Sequence, residues 1–555
     1  MQSALLDVEK WSHKWGFKFS VEKTKYIFFT NKRANINLKL QLYDKELEQV
    51  KVIRFLGMWF DTRVTWSTHI SKMEEKCKKI LNVMRCISGR EWGADRRSLK
   101  TIYSTMIRAI LDYGCIAYGS ASKTQLGRLE KIHSQALRIC CGAFPSSPVA
   151  GLQVEMGELP VHLRRMQLLL TYWAGLIGQR DSHPIKGLLE ASWEQGKKQV
   201  NSFGWIIMDV VRELELNEYE VIPTVILPAT PLWILPQPVI DFILLEKRQV
   251  KAQGLQEAEL TKEYIGNNYK QYIQVYTDAS KDPNGQVGIA YTIPRLKVSG
   301  KKRISNQVSV FTGELVAIMI AVNTVYEIGL NKALICTDSS SALLCLDAQQ
   351  SESRQDIVLE ILQLLYMIHQ EKKVVQFLWV PAHTGVAGNE EADQLAKQAA
   401  AKEGIDMQIL YSKSELKSII KKKITEKWQS YWDKEQKGRH LYSIQSLVSK
   451  GRNSRGSRKE DCVLSRLRLG HTGLNATLNI IGKHPTGLCD WCGVRETVEH
   501  VLIQCNKYAE DRRKLIEKLQ KKGVQHLTLK ELLNPVGSDN LLVIFLKRTQ
   551  LIHRI

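Results

Sequence analysis

Between residues 270 and 401, short β-branched runs alternate with long segments whose apolar residues recur every three or four positions, and acidic residues stand where one pattern gives way to the other. "YIQVYTDAS" and "GQVGIAYTIP" read as a strand and its hairpin partner, and "TGELVAIMIAVNTVYEIG" as a helix. "KALICTDSS" follows as a short buried strand, "SRQDIVLEILQLLYMIHQ" as a second long helix and "VVQFLWVPAH" as another strand; a last helix is expected from Asn389. Strands that alternate with helices in this way imply a mixed sheet covered by helices.

The whole chain, at 555 residues, is too long for one core. Composition and breaker residues divide it into a mixed α/β start over 1–65, a helical segment over 66–145, and a helical and Pro-rich connector over 146–269. The α/β block of 270–401 comes next, then a basic helical region over 402–555 that holds the flexible stretch "SKGRNSRGSRKED". The net charge of +22 is unevenly spread. Residues 1–269 carry 37 basic and 28 acidic side chains, residues 270–401 carry 12 and 13, and residues 402–555 carry 30 and 16. Basic flanks around a near-neutral block suggest a polyanionic partner, most simply nucleic acid, although a solvated Lys-rich surface has the same composition. No export signal opens the sequence, and no apolar run reaches the ~18 residues of a membrane span. The expectation is an intracellular protein away from the membrane, in nucleus or cytoplasm, with its eleven cysteines reduced.

Asp278 in "YTDAS", Glu314 in "TGELVAI" and Asp338 in "CTDSS" sit where strands end or helices begin. Each alone reads as a cap or turn residue. If they converge with Asp393, their repulsion is of order 4 kcal/mol per pair at ~4 Å and an effective dielectric near 20. Protonation relieves it, and so does binding of Mg²⁺ or Mn²⁺, hard cations that prefer oxygen ligands. Two such ions about 4 Å apart can activate water and stabilise a leaving oxygen at a phosphate, with no nucleophilic side chain.

The order Asp278, Glu314, Asp338, His383 and Asp393, carried by "YTDAS", "TGELVAI", "CTDSSSAL" and "VPAHTGVAGNEEADQLAK", resembles ribonuclease H type 1 over nearly all of residues 270–401. The resemblance implies a mixed five-stranded sheet with helices on both faces. It also implies endonucleolytic cleavage of the RNA strand of an RNA–DNA hybrid, leaving 3′-hydroxyl and 5′-phosphate ends. Asp278, Glu314, Asp338 and Asp393 would hold two Mg²⁺ (or Mn²⁺) ions, His383 would relay a proton or help product leave, and Ser280 would touch nucleic acid. Asn389 is expected to cap the last helix and so place Asp393 in its first turn. Val310 and Phe311 stand where cellular relatives carry an asparagine pair that contacts the hybrid. A basic insertion found in some of them is absent after Asp338. Both departures shift the burden of substrate affinity to the basic flanks.

In the tail, "LCDWCGVRETVEHVLIQC" spaces Cys489, Cys492, His500 and Cys505 as a knuckle-like Zn²⁺ set, with reduced core cysteines as the alternative. An ideal helix would hold His500 and Cys505 roughly 140° apart, so a helix must start or bend between them if both bind. Just upstream, Arg466, Arg468 and His471 in "SRLRLGHTGLN" are candidate phosphate contacts, or a solvated edge. "WSHKWGFKFSVEKTKYIFF" resembles the close of a non-LTR (LINE-type) retrotransposon reverse transcriptase palm, "VIRFLGMWFD" its primer grip, and the helices after Trp66 its thumb. No Asp-Asp dipeptide occurs, so no DNA synthesis is expected. The reading is a multidomain, retroelement-derived ribonuclease H acting on hybrid, flanked by mostly helical domains. Its alternatives are a nucleic-acid-binding relic that cuts nothing, or a transposase or integrase of the same superfamily, which the early Glu314 disfavours.

Overall fold

The β-branched runs of residues 270–401 pair into one mixed sheet. The computed structural model describes residues 1–30, 38–186, 203–225, 227, 231–234, 236–248, 254–449, 451–452, 456–524, 527–533 and 539–555. Parts of the Pro-rich connector and of "SKGRNSRGSRKED" lie outside them. The chain forms two units, one of Met1–Leu169, Lys197–Ile206 and Lys423–Ile555, the other of Leu170–Gly196 and Ile207–Lys422.

In the second unit the strands are β1 (Val239–Asp241), β2 (Ile273–Lys281), β3 (Val287–Ile293), β4 (Val298–Ile304), β5 (Lys332–Thr337) and β6 (Val374–Trp379). Their order across the sheet is β4-β3-β2-β5-β6-β1. The pairs β2–β3 and β3–β4 are antiparallel, and β2–β5, β5–β6 and β6–β1 are parallel. The five strands from β2 to β6 form the mixed sheet expected. The sixth, β1, comes from the connector and adds to the open edge of β6. Asp241 at its end accepts hydrogen bonds from the hydroxyls of Tyr264 and Tyr269, at 2.7 and 2.8 Å, and from the Ile243 amide.

Four helices cover this sheet: α1 (Val310–Ile328), α2 (Ser340–Asp347), α3 (Gln355–Gln370) and α4 (Ala387–Ala400). By length and composition α1 is apolar enough to cross a membrane. Here its apolar surface is used up in the core, where Leu315, Val316, Ile318, Val322 and Val325 are fully buried.

The first unit is mainly helical. Two long helices, Ser67–Cys86 and Lys123–Cys141, pack together; the second starts on a Ser122 cap and ends at Gly142 in the left-handed conformation. Helix Arg458–Leu469, with a Ser457/Glu460 capping box, packs on the same cluster. At its centre the fully buried Glu155 accepts from Arg96 Nη1 at 2.6 Å and Arg468 Nε at 2.7 Å, with Arg452 Nε at 3.6 Å. Burial pushes this carboxyl up, but Arg468, Arg96 and Arg452 together hold it far below the ordinary carboxylate range.

Candidate active site and metal centres

The parallel register sets Thr277 opposite Thr337. The next residues, Asp278 and Asp338, therefore leave the sheet side by side. Trp379 Nε1 donates to the Asp338 carbonyl at 2.9 Å and the Val380 amide to the Thr337 carbonyl at 3.0 Å, which holds the end of β5 in place. Alternation along β2 puts Tyr276, Asp278 and Ser280 on one face and Thr277 and Ala279 on the other.

Glycines bring the two flanking helices close to this point. A Cβ at Gly313 in α1 would lie 2.8 Å from the Ala279 Cβ, so α1 closes on β2, and Glu314, the next residue, reaches Asp278 and Asp338. On the other face, a Cβ at Gly388 in α4 would meet the Tyr276 ring at 2.2 Å. One at Gly288 in β3 would meet the Ala396 carbonyl at 2.1 Å. Helix α4 thus rests on bare backbone, and Asp393 is carried in beside Asp278.

Asp278, Glu314 and Asp338 offer oxygens that all lie within 4.8 Å of one another. Asp278 and Glu314 are buried, and Asp338 is half-buried. Burial, then the charges of Asp338 and Asp393, pushes Asp278 up to about 7. Burial, then Asp278 and Asp338, raises Glu314 well above the ordinary range. Burial also raises Asp338, against the pull of a hydrogen bond from Asn389. Glu314 Oε2 is buried with no hydrogen-bond partner. Buried carboxylates that repel one another need a balancing cation to stay ionised, and an all-oxygen set fits Mg²⁺ or Mn²⁺.

Asp393 also groups with His383 and Glu390, whose ligand atoms lie within 4.8 Å of one another. It accepts from Lys397 Nζ at 2.6 Å. His383 is exposed, at a φ of 54°. Glu390 is not marked by the sequence motifs; its only signal is the acidic pair "NEEAD" beside the glycines. The structure corrects the role expected of Asn389. Helix α4 begins at Ala387, with no side-chain cap, so Asp393 lies in its second turn. Asn389 is buried instead, and its Nδ2 donates to Asp338 Oδ2 at 3.2 Å. A helix start three residues earlier, capped at Val386, turns the amide inward, toward the carboxylates. Ser280, half-buried, lies one alternation beyond Asp278.

In the first unit, the ligand atoms of Cys489, Cys492, His500 and Cys505 lie within 4.8 Å of one another. Cys489 Sγ and Cys492 Sγ are 3.9 and 3.6 Å from Cys505 Sγ. Those separations are far beyond a disulfide, and they match the roughly 3.8 Å between thiolates of a tetrahedron with ~2.3 Å Zn–S bonds. His500 Nε2 is buried without a partner. The required bend is a π-turn over His500–Gln504: the Cys505 amide donates to the His500 carbonyl at 2.7 Å, an i to i+5 bond. Cys505 itself is extended, and the wider turn brings it round toward His500.

The phosphate contacts expected just upstream are not available in the form expected. Arg468 is 1% exposed and committed to Glu155, Gln445 and the Leu533 carbonyl. Arg466 is buried, donating from Nε to the Gly142 carbonyl at 2.7 Å and from Nη1 to the Ile555 backbone oxygen at 2.9 Å. His471 is half-buried against Ser146 at 3.2 Å, and burial lowers its pKa. Helix Arg458–Leu469 is buried nearly all round, a state that its polar composition did not signal.

A family model described as RNase H matches residues 270–401. The chain is 24% identical over 139 residues to the probable RNA-directed DNA polymerase from transposon BS of Drosophila melanogaster, covering 25% of this chain and 15% of that protein. It is 26% identical over 125 residues to the retrovirus-related Pol polyprotein from type-1 retrotransposable element R1 4 of Nasonia vitripennis, covering 22% and 32%. With the RNA-directed DNA polymerase from mobile element jockey of D. melanogaster it shares 24% identity over 147 residues, covering 26% and 16%. The chain thus spans under a third of the length of these curated relatives. Residues 270–401 are a ribonuclease H domain of mixed-sheet fold, and the chain that carries it is similar, over about a quarter of its length, to polymerase and Pol proteins of transposable elements.

Proposed function

We propose that this chain hydrolyses the RNA strand of RNA–DNA hybrids at the carboxylate cluster of β2, α1 and β5. The observation that carries the reading is the Asp278–Glu314–Asp338 triad, with oxygens within 4.8 Å and one buried oxygen of Glu314 unpartnered. Asp278, Glu314, Asp338 and Asp393 would hold Mg²⁺ or Mn²⁺. When bound, such ions supply an activated water and stabilise the leaving oxygen. The protein's own part is positional. Asn389 orients Asp338 by its hydrogen bond, Trp379 fixes the strand end below it, and the glycine contacts of α1 and α4 set the spacing of the acids. His383, exposed beside Asp393 and Glu390, would accept a proton at a ring nitrogen and return it to solvent as product leaves. Ser280 would touch the sugar–phosphate backbone. A structural Zn²⁺ at Cys489, Cys492, His500 and Cys505 belongs to the same reading, with His500 Nε2 as the unpartnered donor atom.

The test is hybrid cleavage by the full chain in Mg²⁺, in EDTA, and with Asp278→Asn. Mg²⁺-dependent product from the unmodified chain and none from the variant supports the proposal. Equal product from both overturns it, and product from neither favours the binding relic.

A further inference from the structure

The first unit holds a cavity of about 560 Å³, lined by the end of helix Ser67–Cys86, the end of helix Lys123–Cys141 and helix Arg458–Leu469. Arg85, Arg90, Arg138, Arg458 and Arg466 line it, and no carboxylate does among the described residues. Two of these arginines form the floor. Arg458 donates to the carbonyls of Gly89, Ile139 and Cys140 at 3.1, 2.6 and 2.6 Å. Arg466, besides its two backbone bonds, lies over the Phe144 ring at 4.5 Å. The Gly89, Ile139, Cys140 and Gly142 carbonyls that satisfy most of these N–H groups are neutral and do not cancel the charge.

The other three arginines are less committed. Arg138 makes one bond, to the Ser147 carbonyl at 3.2 Å, and its Nε is buried with no partner. Exposed Arg85 donates to Asn82, and exposed Arg90 to the His553 carbonyl. The nearest paired acid, Glu91, lies 3.7 Å from Arg90 but is shared with Lys459 at 3.4 Å. Arg466 registers the surplus charge: burial, then Arg90 and Arg458, pulls it down to about 10. A concave site of five guanidinium groups, with planar forks still unfilled, matches the oxygens of a phosphate far better than those of a neutral ligand.

We propose that this cavity binds the backbone phosphates of a nucleic-acid strand, in a unit that does not contain the nuclease carboxylates. Binding here does not depend on hybrid being cut. It gives Arg466 the role of a charged floor rather than a free hook, and it assigns direct contact to Arg85, Arg90 and Arg138.

The test uses the full chain carrying Asp278→Asn, so that no probe is consumed, and fluorescence anisotropy of a labelled single-stranded oligonucleotide across a salt series. Combined Arg85→Gln, Arg90→Gln and Arg138→Gln is expected to weaken binding on the order of tenfold. It should also flatten the plot of log K against log salt by about 0.7 for each phosphate no longer neutralised. The matching Lys substitutions keep the charge and are expected to keep the slope. Arg513→Gln, already paired with Glu510 and Glu517, should change neither. An unchanged slope in the Gln variant overturns the proposal. So does a melting shift of the unmodified chain by inorganic phosphate that the Gln variant loses while its strand binding is intact, since that marks a small-anion site. If the triple variant melts early, Arg85→Gln and Arg90→Gln are measured singly, and wild-type slopes in both overturn it equally.

Discussion

Glu415 lies beyond the ribonuclease H match, yet its buried carboxylate holds the start of α1. Oε1 accepts from the Ser309 amide at 2.7 Å, the Ser309 hydroxyl at 2.9 Å and the Thr312 hydroxyl at 2.7 Å. Oε2 accepts from the Ser412 amide at 2.8 Å and lies 3.8 Å from Arg354 Nη1. Glu314 follows Thr312 by two residues, so this clamp also locates a proposed metal ligand. Hydrogen bonds to a charged group contribute about 1.5–3 kcal/mol each, less when several share one acceptor. Removing one partner of a buried charged set costs about 3–5 kcal/mol. Glu415→Ala is therefore expected to cost the second unit about 4 kcal/mol, or roughly 8–16 °C of melting temperature for a unit of its size. Burial pushes the Glu415 carboxyl up, but the bonds from Ser309, Thr312 and Ser412 outweigh it and hold the pKa below 4.5. A depressed folded-state value means that the contribution is complete above pH 4.5 and is lost as the pH falls below it. Thermal melting at neutral pH and at pH values below 4.5, with hydrogen exchange at the Ser309–Glu314 amides, measures both effects. An Ala variant with the same melting temperature and the same amide protection as the unmodified chain would refute the clamp.

Three further outcomes are expected. Glu155→Gln leaves Arg96 and Arg468 buried without the carboxylate they share, so chemical denaturation should show the first unit destabilised by about 3–5 kcal/mol. Gly288→Ala drives a methyl to 2.1 Å from the Ala396 carbonyl; calorimetry should show a loss of at least 1–3 kcal/mol, and hybrid cleavage should fall with it as α4 lifts Asp393 away. Metal analysis of the purified chain should find about one zinc per molecule, lost on Cys489→Ser; a full zinc complement in that variant would remove Cys489 from the site.

The nuclease motifs were legible because strand and helix periods bracket each acid, and because parallel pairing of two buried strands leaves few registers for Asp278 and Asp338. What stayed hidden depends on partners distant in sequence. Strand β4, "VSGKKRI", has three consecutive basic residues and apolar residues only at its two ends; its pairing with β3 makes it a strand. Strand β1 is three residues in a Pro-rich stretch, recognisable only against the edge of β6. Asn389 has the residue type of a cap, and its true partner, Asp338, lies 51 residues earlier. Arg468 reads as a surface charge because nothing local reveals Glu155, more than 300 residues upstream, and Arg466 because its acceptors are the distant Gly142 and Ile555 backbone oxygens.

The Glu155 hub also makes the chain intolerant of early termination. Arg452 and Arg468 are supplied from the last fifth of the sequence, and they neutralise a carboxylate sealed inside the helices of the first third. A stop codon or frameshift before residue 452 would strip away two of the three countercharges. The helices already synthesised would keep only Arg96 against Glu155 and would lose the helix Arg458–Leu469 that packs over it, so such a gene copy should yield insoluble or rapidly degraded protein rather than a shorter working one.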